Sequence, residues 1–312
     1  MAISQMDTWP FPRGKEWEMD LARNLSGYFK KMGYPVSQRY PFVLARRADW
    51  HKNIILARVW KYIEEERRQR RRNRAPFALH RWLHHGLSSQ AFLFNLLGPL
   101  VVDKQWSIFD DILNQTGITL SSHITGATFE LEDRKVFNER QGQPTSIDLC
   151  LWTGHVEKVF IEFKFTEKTF GGCSVFRSGD CDGINPSGDF DLCYLHRIDR
   201  KYWQLIKKHS LLTATVRNSF QCPFSELYQL YRLILFTLEK DCHFLLLYDE
   251  RNPCFLVNSH NIKRGLFNLV YQSLPKYAQS RCHALSVQSI LPILKKQSTL
   301  DWTNELEDKY FQ

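Results

Sequence analysis

No stretch of this 312-residue chain approaches the roughly 18 consecutive apolar residues that a membrane helix requires, so no membrane partner is expected. The opening residues, MAISQMDTWPFPRGKEW, lack the apolar region of a secretory signal, which makes the cytoplasm the expected location. There is no internal repeat and no low-complexity linker, so nothing forces a split into separate domains. No two cysteines stand at the C-x2-C spacing of a zinc knuckle. In a chain without a secretory signal, the eight cysteines suggest thiols or metal ligands before disulfides.

What is present describes a globular protein: 43% hydrophobic residues, with 22 Phe, 12 Tyr and 9 Trp. The net charge of +9 is concentrated. Between positions 39 and 74 stand twelve Lys/Arg against four Asp/Glu, nearly the whole surplus. A concentrated positive field suits a polyphosphate partner through counterion release. A solvated helix that keeps the protein soluble would carry the same run.

Periodicity orders the chain. Leu56, Val59, Trp60 and Ile63 form one stripe of a helix over 49–74, supported by the pairs Glu64–Arg68 and Glu66–Arg70. The string SSQAFLFNLLGPL reads as a buried helix capped by Ser88 or Ser89 and ended by Gly98-Pro99. A short helix over 105–115 ends at Gly117. The period then changes to two, predicting strands over 127–132, 146–152 and 158–165. A Gly/Asp/Ser-rich loop covers 171–191, a helix 225–239 and a buried strand 243–248. Two or three helices close the chain after about 261.

The second and third strands are joined by Thr153-Gly154-His155, a turn with glycine where φ is positive. Pairing about position 155 sets Asp148 opposite Glu162, with Cβ atoms roughly 5 Å apart. Lys164 points to the same face. Ile147, Leu149, Leu151, Val159, Ile161, Phe163 and Phe165 are left for the core face. Two adjacent carboxylates repel unless a cation lies between them. Mg2+ commonly takes one or two carboxylates plus substrate phosphate. An ammonium beside it can hold a water that attacks a phosphodiester. The bland alternative is an exposed cross-strand pair in which Lys164 simply neutralises Glu162.

Pro144-Thr-Ser-Ile-Asp148 followed by Ile161-Glu162-Phe-Lys164 resembles the PD-(D/E)XK nuclease superfamily. The strings SSQAFLFNLLGPL, IEFKFTE and CPFSELYQLYR resemble those of a bacterial restriction-endonuclease-like family, over about residues 88–250. The resemblance implies an α/β fold with an αβββαβ core and a mixed central sheet. It also implies Mg2+ (or Mn2+) on Asp148 and Glu162, and Lys164 positioning and activating water. The proline stands four residues before Asp148 instead of directly before it, and the first core helix offers Gln90 where many members carry a Glu. Glu130 is a candidate third ligand, with an exposed strand residue as its alternative. Gln229 is a candidate for substrate positioning, although Leu233 stands where the usual Gln-x-x-x-Tyr motif has Tyr.

Cys173, Cys181, Cys193 and Cys222 could hold a structural Zn2+ that orders the loop; reduced thiols are the competing reading. The run Asp180-Cys-Asp182-Gly183 has its glycine in the wrong place for a Ca2+ loop. His80, His84 and His85 read as surface or boundary residues. The expected organisation is a basic helical region over 1–86, a nuclease core over 87–260 with a cysteine-bearing insertion over 171–222, and a helical tail over 261–312. Arg67, Arg68, Arg70, Arg71, Arg72 and Arg74 would hold a DNA backbone without reading its sequence. The resemblance also suggests restriction or anti-phage defence and a homodimer. The competing classes are a non-catalytic nucleic-acid-binding protein on the same fold and a zinc-organised adaptor.

Overall fold

A computed structural model describes residues 15–73, 75, 77–154, 157–259, 262–296 and 301–312. Four helices come first: α1 (Glu16–Lys31), α2 (Ala57–Arg72), α3 (Ser89–Val102) and α4 (Trp106–Thr116). The strands β1 (Gly126–Asp133), β2 (Thr145–Thr153) and β3 (Glu157–Lys164) follow. After a stretch of short helices come α5 (Pro223–Glu239) and β4 (His243–Tyr248), then β5 (Cys282–Ser286), α6 (Val287–Lys295) and α7 (Thr303–Tyr310). The central sheet runs β1-β2-β3-β4-β5. Its first three strands are antiparallel; β4 and β5 join in parallel. The order from α3 to β4 is the αβββαβ core of a restriction-endonuclease-like fold, with helical segments at both ends.

Both faces of the sheet are covered, so the core strands are apolar on both sides. One face packs on α3, α4, α6 and α7 through Leu149, Val159, Ile161 and Phe163. The other packs on α5 and the insertion through Cys150, Phe160, Phe244 and Leu246. Ile147 lies with the second cluster, not with Leu149 as strict alternation requires. The break falls where Glu130 of β1 has φ +52° and its pairing with Asp148 is skipped in the ladder.

Helix α3 starts as its sequence says, with Ser88 Oγ accepting from the Ala91 amide at 3.3 Å. It does not end at Gly98-Pro99 but continues to Val102. A Cβ on Gly98 would lie 2.6 Å from Val59 Cγ1, so this glycine lets α2 approach α3. Helix α2 starts later than expected, at Ala57, after a 3-10 segment over Arg47–Asn53. Asn95 Oδ1 accepts from the Ile55 amide, and Asn53 donates to the Leu83 and His85 carbonyls, which draws the chain out of the helix there. Arg70 pairs with Glu66 as expected, but Arg68 pairs with Glu65 and not with Glu64.

Three further features depart from the sequence reading. The segment over 171–191 contains a short helix, Ser174–Arg177, and a 3-10 turn, Phe190–Leu192. The closing helices include a strand, β5, that extends the central sheet. His84 is buried and not a surface residue, with Nδ1 lacking a partner.

Candidate active site

The β2–β3 ladder has the expected register, running from Thr153↔Glu157 to Leu149↔Ile161. Asp148 and Glu162 are the next residues along. His155, at the expected turn centre, lies outside the described residues. Asp148 Oδ2 accepts from the Phe163 amide at 2.8 Å. Glu162 and Lys164 are buried, at 2% and 5% exposure, so the exposed-pair alternative fails.

Gln229 completes the group. Lys164 Nζ donates to Glu162 Oε1 at 2.7 Å and to Gln229 Oε1 at 2.9 Å, while Gln229 Nε2 donates to the same Glu162 oxygen at 2.6 Å. All three bonds close a triangle. A distortion in α5 puts Gln229 there: Leu227 has non-helical φ −116°, and the amides of Tyr228 and Gln229 bond the carbonyls of Gly171 and Phe170. Glu162 Oε2 is left buried with no hydrogen-bond partner.

Glu130 stands across from Asp148 on β1, between the pairs Phe129↔Leu149 and Leu131↔Ile147. It is buried, not exposed. Gln90 Nε2 donates to its Oε1 at 2.6 Å, and Ser146 Oγ donates to its Oε2 at 3.3 Å. The position of the missing helix acid is therefore filled by an amide that grips the acid of β1. Both Glu130 oxygens are thereby engaged.

The electrostatics follow from this crowding. Burial, then the charges of Glu162 and Glu130, push the Asp148 carboxyl well above the usual carboxylate range. Burial pushes Glu130 up to about 7, against the pull of the Gln90 and Ser146 hydrogen bonds. Burial alone would lower Lys164, but Glu162, Glu167 and Asp148 outweigh it and raise it to about 12. From this position Lys164 can donate to a water or an oxyanion.

Among the described residues no three His, Cys, Asp or Glu side chains are grouped as a metal site. The four candidate cysteines of the loop nevertheless lie within electrostatic reach of one another. Cys173, Cys181, Cys193 and Cys222 are free thiols; burial raises the Cys173 thiol and pushes that of Cys222 up to about 12. A two-carboxylate site for Mg2+ is a different case. The unpartnered Glu162 Oε2 beside Asp148 is a donor set to which a cation, water and a phosphate oxygen can be added. Two like charges about 5 Å apart at an effective dielectric of about 20 repel by about 3 kcal/mol, and a cation there removes that cost.

Arginines cluster on α2. Arg67, Arg68 and Arg71 line a cavity of about 690 Å3 with Phe77 and Arg134. Arg72 is exposed, and Arg74 lies outside the described residues. Arg70 differs from the rest: it donates to the Glu130 and Phe129 carbonyls and to Thr128 Oγ1, pinning α2 to β1. It is thus a structural residue, not a free phosphate contact.

Residues 21–311 match the family described as restriction endonuclease associating with ARP. The chain belongs to this family. No curated protein and no solved structure matches it. Membership of a restriction endonuclease family suggests a nuclease-type function. Arg232, one helical turn after Gln229, is a residue that the sequence reading passed over. An arginine between Tyr231 and Leu233 on an apolar helix was the available signal.

Proposed function

We propose that the protein hydrolyses phosphodiester bonds in DNA with Mg2+ or Mn2+ held by Asp148 and Glu162. The observation that carries this reading is the buried, unpartnered Glu162 Oε2 beside an Asp148 whose charge is opposed by its neighbours. A divalent cation there would neutralise the carboxylates, polarise a phosphate oxygen and lower the pKa of a bound water. Lys164 holds that water or the developing oxyanion by donating from a fixed ammonium. Gln229 keeps Lys164 and Glu162 in register. Glu130, held by Gln90, contributes through the field it sets at Asp148.

The family membership supports DNA as substrate, and the exposed Arg67, Arg68, Arg71 and Arg72 suit contacts to its backbone. On this reading the region over 1–86 anchors the duplex, and the protein acts as a homodimer in cytoplasmic restriction or anti-phage defence. The test is incubation of plasmid and linear DNA with Mg2+ or Mn2+, comparing the wild type with Glu162→Ala and Lys164→Ala. Cleavage confined to the wild type is expected. Equal low cleavage by all three sinks the nuclease reading.

A further inference from the structure

A second cavity, of about 740 Å3, has Gln229 as part of its wall. Because Gln229 is bonded to both Glu162 and Lys164, whatever occupies the cavity lies directly beside the reacting centre. Phe170 is shared in the same way: it lines the cavity, and Lys164 Nζ sits 5.7 Å from its ring centre. The cavity thus continues the active site.

Its walls carry two kinds of group. Arg232 is buried, yet its Nε has no partner and its Nη1 reaches Glu139 only at 3.5 Å. Its guanidinium lies 5.0 Å from the centre of the Tyr228 ring, which fixes its plane. Arg177 is exposed at the rim. Tyr194, also on the wall, is 55% exposed, an unusual state for a large ring. Guanidinium groups answer phosphate, and an open aromatic face answers a base. Gly172 shapes the entrance, since a Cβ there would lie 2.4 Å from the Ser225 carbonyl oxygen.

A space of this size is in the range of ligand pockets and holds an unstacked nucleotide, not a duplex. We propose that the cavity receives one nucleotide lifted out of the helix next to the scissile phosphate, its base on Tyr194 and its phosphate on Arg177 and Arg232. This deepens the nuclease reading and rests on it for the position of the scissile bond. Unpaired or easily unstacked nucleotides are then preferred, because lifting them from the helix costs least.

The test uses a duplex carrying one unpaired 2-aminopurine, compared with the same duplex fully paired, titrated in EDTA with the full chain. The wild type is expected to bind the bulged duplex about tenfold more tightly and to quench its fluorescence by stacking. Tyr194→Ala, an exposed change that leaves the fold intact by circular dichroism, should lose both the preference and the quenching while keeping its affinity for paired DNA. Arg177→Ala should weaken bulge binding without abolishing the quenching. Equal affinity for the two duplexes, or unchanged quenching in Tyr194→Ala, overturns the pocket. Plasmid cleavage in Mg2+ is read in parallel. Cleavage without a bulge preference removes only the pocket, whereas a bulge preference without cleavage removes only the nuclease reading.

Discussion

Among the described residues two lysines are buried in the core, and they are held in opposite ways. Lys164 on β3 faces Glu162 and Asp148 and is raised to about 12. Lys309 on α7 is fully buried among rings, 5.2 Å from the centres of Tyr28 and Tyr310, with its Nζ donating to the Asn53 carbonyl. Burial lowers it to about 7, against only a weak pull from Glu305. A buried cation retained by carboxylates marks a place where charge is used. A buried lysine that tends toward neutrality is a packing element with a polar tip.

The largest effects should come from breaking the first arrangement. Lys164→Met leaves Glu162 as an uncompensated buried charge, which should cost about 3–5 kcal/mol in thermal or denaturant unfolding and lower cleavage by at least about 100-fold. Added Mg2+ should restore part of the lost stability, because it replaces the missing positive charge. A Lys164→Met protein as stable as the wild type would remove the distinction between the two lysines.

Lys309→Met sharpens the comparison from the other side. The folded pKa is below the unfolded one, so the wild type gains stability as pH rises from about 7 toward 10, by up to about 1.4 kcal/mol per unit. The variant should show a flatter profile, with its advantage greatest below pH 7 and cleavage unchanged. A wild-type profile that is flat over this range would contradict the assignment.

Glu130 should respond with the opposite sign. Its folded pKa near 7 lies above the ordinary carboxylate value, so the cost of ionising it falls on the folded state as pH rises through that interval. Glu130→Gln should therefore raise the melting temperature at pH 8, by about 1–3 kcal/mol in stability, and change nothing at pH 4. The smallest effects belong to α2. Arg71→Ala should reduce the salt slope of DNA binding by about 1 with no change in melting temperature. Arg70→Ala, which loses three bonds to β1, should do the reverse.

Local patterns carried the hairpin. Alternation on two strands and a glycine turn sufficed to place Asp148 beside Glu162, because both partners lie within one short loop closure. Gln229 was less legible: its position depends on the carbonyls of Phe170 and Gly171, which open α5 from far along the chain, where no local periodicity reaches. Strand β5 escaped because Cys282-His-Ala-Leu-Ser is short and weakly alternating, and only pairing with β4 makes it a strand. Pro99 misled for the same kind of reason, since a helix buried on all sides tolerates one missing hydrogen bond. The loop cysteines carry no knuckle spacing in the sequence, yet the fold gathers Cys173, Cys181, Cys193 and Cys222 near one another as free thiols.

Calorimetric titration of Mg2+ or Mn2+ into the full chain bears most directly on the nature of the β2–β3 carboxylates. Saturable binding in the wild type, lost in Asp148→Asn and Glu162→Gln but retained in Lys309→Met, is the expected result. Equal binding by the wild type and both carboxylate variants would show that the cation sits elsewhere.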